Sequence, residues 1–281
     1  MNSVKNLISD SDNRKSARQT SLLHKLAWLG LGFFCIVLSL LAFVPADCLA
    51  VLLERQTEGR LTLGDAQGSL WSGSAFIGAV AGGSGGAIVP LLPGRFVWHL
   101  SPAVLLGQVE MTLENTESLQ HPIYVSGSWN QIQVSASAIT VPTERLAGMG
   151  APLNTLRPSG QMILSWNILD VALSDGNTSV DMNGSLTLTM QGMASALSPV
   201  KPLGSYLMTF DCRGKEIQLK LETTLGPLLL QGRGTVVRGH LQFSGQASAE
   251  NGQEEKLANL LNLLGQRHMV GDKNVTALEF K

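Results

Sequence analysis

The chain has little with which to do chemistry. Its five histidines, His24, His99, His121, His240 and His268, are scattered, and none stands at metal-ligand spacing from another histidine or a cysteine, which excludes a recognisable zinc site. No Gly-x-Ser-x-Gly elbow backed by an acid and a base is found, and no pair of carboxylates falls in a context suited to acid–base work. The glycine run Gly82-Gly83-Ser84-Gly85-Gly86 lacks the Lys-Ser/Thr of a phosphate loop and leads to Pro90 rather than to a helix. It reads as a flexible loop, with a segment ordered by a partner as the other reading. These absences leave no catalytic, cofactor-binding or metal-binding residue to nominate, so the chain is read as a non-enzyme that needs no cofactor.

Charge and cysteine are also scarce. The net charge is −1, and residues 1–25 carry five basic and two acidic side chains, so the remainder stands at −4. Nucleic acid, whose binding needs a clustered basic face, is therefore excluded as a partner. Of the three cysteines, Cys35 falls inside a long apolar run, leaving Cys48 and Cys212 to form at most one bridge in an oxidising compartment. A bridge and two separate small apolar side chains both remain open. Asn177, Asn183 and Asn274 each begin an Asn-x-Ser/Thr triplet, but such triplets arise by chance in a chain rich in serine and threonine, and they are assigned no role.

What the chain does have is one uninterrupted apolar run, Leu26 to Ala46, bounded by Lys25 and Asp47. Its 21 residues, at about 1.5 Å rise each, match the roughly 30 Å hydrocarbon thickness of a bilayer as a single helix. A cleaved signal would have a shorter apolar region, about 7 to 15 residues, and a better small-x-small site than Cys48-Leu49-Ala50 provides. A charged Asp47 before Cys48 likewise argues against a lipoprotein. The run is read as an uncleaved signal anchor. Lys5, Arg14, Lys15, Arg18 and Lys25 outnumber the acids before it, so the positive-inside rule places residues 1–25 in the cytoplasm and sends the rest outward.

The exported part is rich in Gly, Thr, Ser, Val and Leu, and its short apolar segments alternate with period two. Strands are expected at Arg60–Leu63, with a turn at Gly64-Asp65, and at Leu70–Ile77. Further strands are expected at Arg95–Leu100, Val109–Leu113, Ile123–Ser137, Gly160–Leu173 and Ser179–Met190, and then at Tyr206–Cys212, Glu216–Leu221, Leu228–Val237 and Gly239–Ala249. No long amphipathic helix separates them, so the sheet should be antiparallel. Gly68-Ser69-Leu70, Gly127-Ser128-Trp129 and Gly184-Ser185-Leu186 form a loose repeat in which glycine would permit a bend or a close backbone approach. Trp71, Trp98, Trp129 and Trp166 fall in strand contexts and suit core or rim better than a ligand cage. Pro142–Leu146 and Arg157-Pro158 bracket a segment that reads as a short helix followed by a loop, a hinge near the middle. Near the end, Leu257, Leu260, Leu261 and Leu264 stand at helical spacing within Glu254–Gln266. That helix either docks over an open end of the sheet or meets a partner or a membrane surface.

The chain resembles the type II secretion system protein N (general secretion pathway protein N) family. The resemblance rests on the single anchor, Gly59-Arg60-Leu61-Thr62-Leu63 and Gly68-Ser69-Leu70-Trp71-Ser72-Gly73. In order, Trp98-His99-Leu100-Ser101-Pro102, Leu105-Leu106-Gly107, Pro202-Leu203-Gly204-Ser205-Tyr206, Gly226-Pro227-Leu228-Leu229-Leu230-Gln231-Gly232 and Leu260-Leu261-Asn262-Leu263-Leu264-Gly265 follow. The polar leader of 25 residues is longer than such proteins usually carry.

Membership implies a mostly β protein. A single N-terminal transmembrane helix would precede a large curved antiparallel β-sheet domain with a short C-terminal helix, the concave side apolar as in the remotely similar AsmA-like proteins. The expected organisation is a cytoplasmic leader at 1–25, a transmembrane anchor at 26–46 and a periplasmic β-rich domain at 54–281. The implied role is that of a non-catalytic accessory component of the machine that moves folded proteins from the periplasm across the outer membrane of Gram-negative bacteria. It would be held in the inner membrane and contact other secretion subunits through sheet edges or the glycine-rich loop. The alternative is a tethered module for lipid or another apolar ligand, with a groove lined by inward residues such as Leu61, Leu63, Leu186 and Leu188.

Overall fold

The computed structural model describes residues 28–33, 35–36, 39, 41–57, 61–80, 88–149, 153–174, 179–237, 240–265, 267–270 and 273–280. The chain divides into two compact units, residues 1–44 and 45–281. In the first, the described residues between 28 and 42 are helical, and Trp28, Leu29 and Phe33 are exposed. Among the described residues no helix is long and apolar enough to cross a membrane. The leader 1–25 lies outside the described residues, as do positions 26, 27, 34, 37, 38 and 40 of the expected anchor.

The second unit is a single antiparallel sheet. After helix α1 (Asp47–Gln56) come β1 (Leu61–Gly68), β2 (Ser72–Val80), β3 (Ile88–Pro90), β4 (Phe96–Leu100), β5 (Gln108–Glu114), β6 (Ile123–Ser128), β7 (Gln131–Val134) and β8 (Ser137–Pro142). A 3-10 helix (Thr143–Met149) and the single turn α2 (Leu153–Leu156) lead to β9 (Pro158–Trp166), β10 (Leu169–Ser174), β11 (Ser179–Ser195), β12 (Gly204–Gly214) and β13 (Glu216–Leu225). The chain closes with β14 (Leu228–Val237), β15 (His240–Ala249), α3 (Glu254–Leu264), β16 (Arg267–Val270) and β17 (Lys273–Phe280). Every pairing is antiparallel, as the lack of crossover helices predicts, and most strands lie beside their neighbours in sequence. The long strand β11 pairs along one edge with β12 and along the other with β10 and β9 laid end to end.

Three expected strands are divided differently. The turn expected at Gly64-Asp65 is instead a bulge within β1, where the register to β2 shifts between Gly64 and Gln67 and Asp65 takes φ 49°. Arg95 secures it, its guanidinium 2.6 Å from the Asp65 carboxylate and 2.7 Å from the Asp65 carbonyl. The reversal falls at Ser69–Trp71, where the Ser69 N–H donates to the Ser72 carbonyl and the Ser72 N–H to Ser69 Oγ. Ile123–Ser137 is interrupted by a turn at Trp129–Asn130, and Gly160–Leu173 by a break at Asn167–Ile168. The repeated glycines act as the repeat implied. Gly68, Gly127 and Gly184 have φ of 89°, 147° and 139°. A Cβ on Gly68 would lie 2.5 Å from the Ser72 carbonyl, and one on Gly184 only 2.6 Å from the Leu169 side chain.

Helices close the apolar side of the sheet at its two ends. α3 docks on it, as one of the two sequence readings has it: Leu257, Leu260 and Leu261 pack against Leu228, Ala247 and Leu278. Glu254 and Glu255 occupy its first turn, where they suit the helix dipole. α1 lies along β1. Ala46 and Leu49 pack with Leu63, Ala75 and Trp98, and the buried Thr62 hydroxyl, on the other face of β1, donates to the Glu54 carboxylate.

Candidate interaction faces

Residues opposite one another in an antiparallel ladder share a face, so the registers can be followed from strand to strand. Leu63 faces Ile77, Ala75 faces Phe96, Trp98 faces Leu113, and Val125 faces Val134. Val134 faces Leu169 and Val171 faces Met182, which brings the face to β11. There Leu186 lies between Trp166 and Phe210, and Leu188 between Leu164 and Met208. Phe210 then faces Leu219, Leu219 faces Gly234, Gly234 faces Phe243, and Phe243 faces Phe280. One apolar face therefore runs from β1 to β17. Leu61, Leu63, Leu186 and Leu188, which the sequence nominated as inward residues, all belong to it.

The residues one position along form the opposite face, and they are polar. Ser165, Thr187, Thr209, Lys220, Arg233, Ser244 and Glu279 make a continuous row across seven strands. Lys220 pairs with Glu222 at 2.5 Å, and both side chains are exposed, so this pair adds little stability.

Where β13, β14 and β15 meet, a cleft of about 660 Å³ is lined by Leu219, Gly234, Phe243, Arg233 and Glu279 among others. Gly232, Gly234 and Gly245 leave a stretch of bare backbone across which the Phe243 ring lies, and a Cβ on Gly245 would come 2.9 Å from that ring. A second depression of about 500 Å³ on the polar face of β4, β5 and β6 is lined by Trp71, His99, Glu110, Thr112 and Tyr124.

The tryptophans divide between core and rim. Trp98 is buried on Gly73, and its indole N–H reaches the carbonyls of Ser69 at 3.2 Å and Leu70 at 3.1 Å. The stretch Gly68–Gly73 is thus a tight turn sealed by an aromatic ring from β4. Trp166 packs beside Leu92, Phe96 and Leu119 and donates to the Ser135 carbonyl. Trp129 is exposed at the β6–β7 turn, and Trp71 is half-buried.

Titratable groups are few in the structured interior. Tyr206 donates its hydroxyl to the Leu228 carbonyl at 3.1 Å, and burial pushes its pKa well above the ordinary phenolic value. Burial, with the charge of Asp211 nearby, also raises the Cys212 thiol, which keeps it protonated and inert. Hydrogen bonds from Arg95 and then Gln67 hold Asp65 below the usual carboxylate range. Cys48 is exposed and Cys212 buried, and both are free thiols. Among the described residues, no group of three or more His, Cys, Asp or Glu side chains could hold a metal ion. The glycine run 82–86 lies outside the described residues.

The Arg95 link to the β1 bulge and the cover provided by α1 escaped the sequence reading. An arginine directly before the strand Phe96–Leu100 and an acid in a glycine-containing strand were the available signals.

These features define a class of protein: a large open antiparallel sheet with one apolar and one polar face. A family model described as Type II secretion system (T2SS), protein N, matches residues 59–274. The match extends from just before β1 into β17, and the chain belongs to that family. No curated protein and no solved structure matches it.

Proposed function

We propose that this chain is an accessory component of the type II secretion system, tethered in the inner membrane of a Gram-negative envelope and acting by protein–protein contact rather than by catalysis. The observation that carries this reading is the family match across 59–274, nearly the whole sheet. In this reading residues 26–46 are the anchor, residues 1–25 are cytoplasmic, and residues 54–281 form the periplasmic domain that supports export of folded proteins across the outer membrane. Its partners are other subunits of the same machine. Two sheet features support contacts of this kind. Among the described residues β16 pairs with β17 alone, which leaves main-chain donors and acceptors on its other side for strand addition. The polar row from Ser165 to Glu279 offers a charged surface for complementary recognition.

The test is in-cell crosslinking of the tagged full-length chain, followed by affinity purification and mass spectrometry of proteins and lipids together. Secretion subunits without stoichiometric lipid are the expected result. Their absence from every crosslinked sample would remove the reading.

A second reading, a tethered module for lipid or another apolar ligand, is favoured by one observation. Among the described residues α1 and α3 pack on the apolar face near its two ends, while Leu164, Leu186, Leu188, Met208 and Phe210 in its middle stay half-buried. Phospholipid recovered in stoichiometric amount, without secretion subunits, would make that face the function.

A further inference from the structure

The registers bring a particular set of turns to one end of the sheet. Gly68 faces Gly73, Ser128 faces Gln131, Ser174 faces Ser179, Arg213 faces Glu216 and Val237 faces His240, each pair standing beside a reversal. The 3-10 turn Pro102–Leu106, which joins β4 to β5, lies at this same end. So does the point where the chain enters: Pro45 bridges to Ser69, and the Ala46 N–H donates to the Gly68 carbonyl.

This end exposes large apolar side chains at several strand tips, and Arg213, Lys215 and Glu216 are exposed among them at the β12–β13 tip. Leu105 is 47% exposed, Leu106 88%, Trp129 58%, Val180 57% and Leu241 42%. The tips are joined, because the Trp129 indole N–H donates to the Val104 carbonyl at 2.5 Å and holds the β6–β7 turn against the turn that carries Leu105 and Leu106. Large apolar side chains gathered on a rim mark an interaction surface. The opposite end differs in charge. It exposes Leu225 and Leu229 but also carries Glu250, Glu254 and Glu255.

We propose that the end of the sheet bearing Leu105, Leu106, Trp129, Val180 and Leu241 docks on the periplasmic surface of the bilayer that holds the Leu26–Ala46 anchor, its apolar tips sunk in the headgroup region. The proposal rests on the anchor reading. Pro45 and Ala46 close the apolar run and are themselves bonded to Ser69 and Gly68, so the chain enters the sheet at this rim directly after the run. A tryptophan beside leucines is the composition that the water–hydrocarbon boundary favours. The acidic opposite end suits the aqueous side, since an anionic lipid surface repels it. Val180 and Leu241 also belong to the apolar face by register, so the rim joins that face to the bilayer.

The experiment uses the full-length chain with its native cysteines replaced by alanine, reconstituted in vesicles of phosphatidylethanolamine and phosphatidylglycerol. An environment-sensitive fluorophore is attached in turn at Leu106→Cys, Val180→Cys and Leu225→Cys, and brominated lipid serves as quencher. Emission from the first two positions should shift to the blue and be quenched several-fold more than emission from the third. If the chain resists alkaline extraction yet positions 106 and 180 read as water, the docking is overturned while the anchor stands. Equal quenching at all three positions overturns it as well, since the sheet would then lie flat. Release of the chain by alkaline extraction removes the anchor, and the docking with it.

Discussion

The two ends of the apolar face are closed by helices that hold on by different means. α3 buries three leucines, with Leu257 at 0% exposure, whereas no residue of α1 itself is fully buried. α1 depends on Leu49 and Ala46 against Trp98 and on polar ties: the Thr62 hydroxyl to Glu54, the Thr57 hydroxyl to the Leu53 carbonyl, and the Leu61 N–H to Thr57. Burial of apolar area is the larger contribution per residue, so the C-terminal cover should be the more stable and the N-terminal cover the first to open.

The widest separation between the two ends comes from Leu257→Ala. It should cost about 3 kcal/mol, lowering the denaturant midpoint and removing amide protection from β15 and β17 while leaving β1 and β2 protected. Full protection at β15 would mean that the helix is not what holds that end. Trp98→Phe, at the other end, should cost about 2 kcal/mol through the lost indole hydrogen bonds and ring volume, with faster exchange confined to β1, β2 and β4. In the double variant the two losses should add to within about 0.5 kcal/mol, because the sites share no partner; a larger coupling would join the ends into one cooperative unit. Thr62→Val removes only the tie to Glu54 and should cost about 1 kcal/mol, seen as faster exchange in α1.

The smallest effect belongs to Asp65. Its folded pKa is held below the ordinary 3.8 by Arg95, so its contribution is present above that value and lost as pH falls through the folded pKa. Asp65→Asn should therefore lower the melting temperature slightly at neutral pH and not at all in strong acid, and added salt should shrink the difference because the pair is exposed. A difference that persists in acid would assign the effect to the bulge geometry instead.

This contrast also explains what could be read in advance. The leucines at 257, 260, 261 and 264 announce α3 because a full apolar stripe is its reason to exist. α1 has no such stripe: Leu49, Ala50 and Leu53 face inward while Val51 and Leu52 stay exposed, and the run Leu26–Ala46 merges with it in any window of hydropathy. Alternation placed most strands, since a one-residue slip would turn an entire apolar row to the wrong face. It could not place their interruptions. The bulge at Gly64–Gln67 depends on an arginine 30 residues later, and the break at Asn167–Ile168 on the close approach of Gly184. The two-sided character of the sheet was legible strand by strand. Its continuity from β1 to β17 required the registers.

The order of pairing has a consequence for how the protein is made. Most strands find their partner among the segments synthesised immediately before them, so a chain emerging N-terminus first can add one ribbon at a time to a growing template. The middle of the sheet departs from this. β10 reaches back past β8 and β9 to pair with β7, and β11 must close on β9 and β10 behind it while offering its other edge to β12. β11 is therefore the keystone of assembly, where a stalled or shortened chain would be left with the most unpaired backbone.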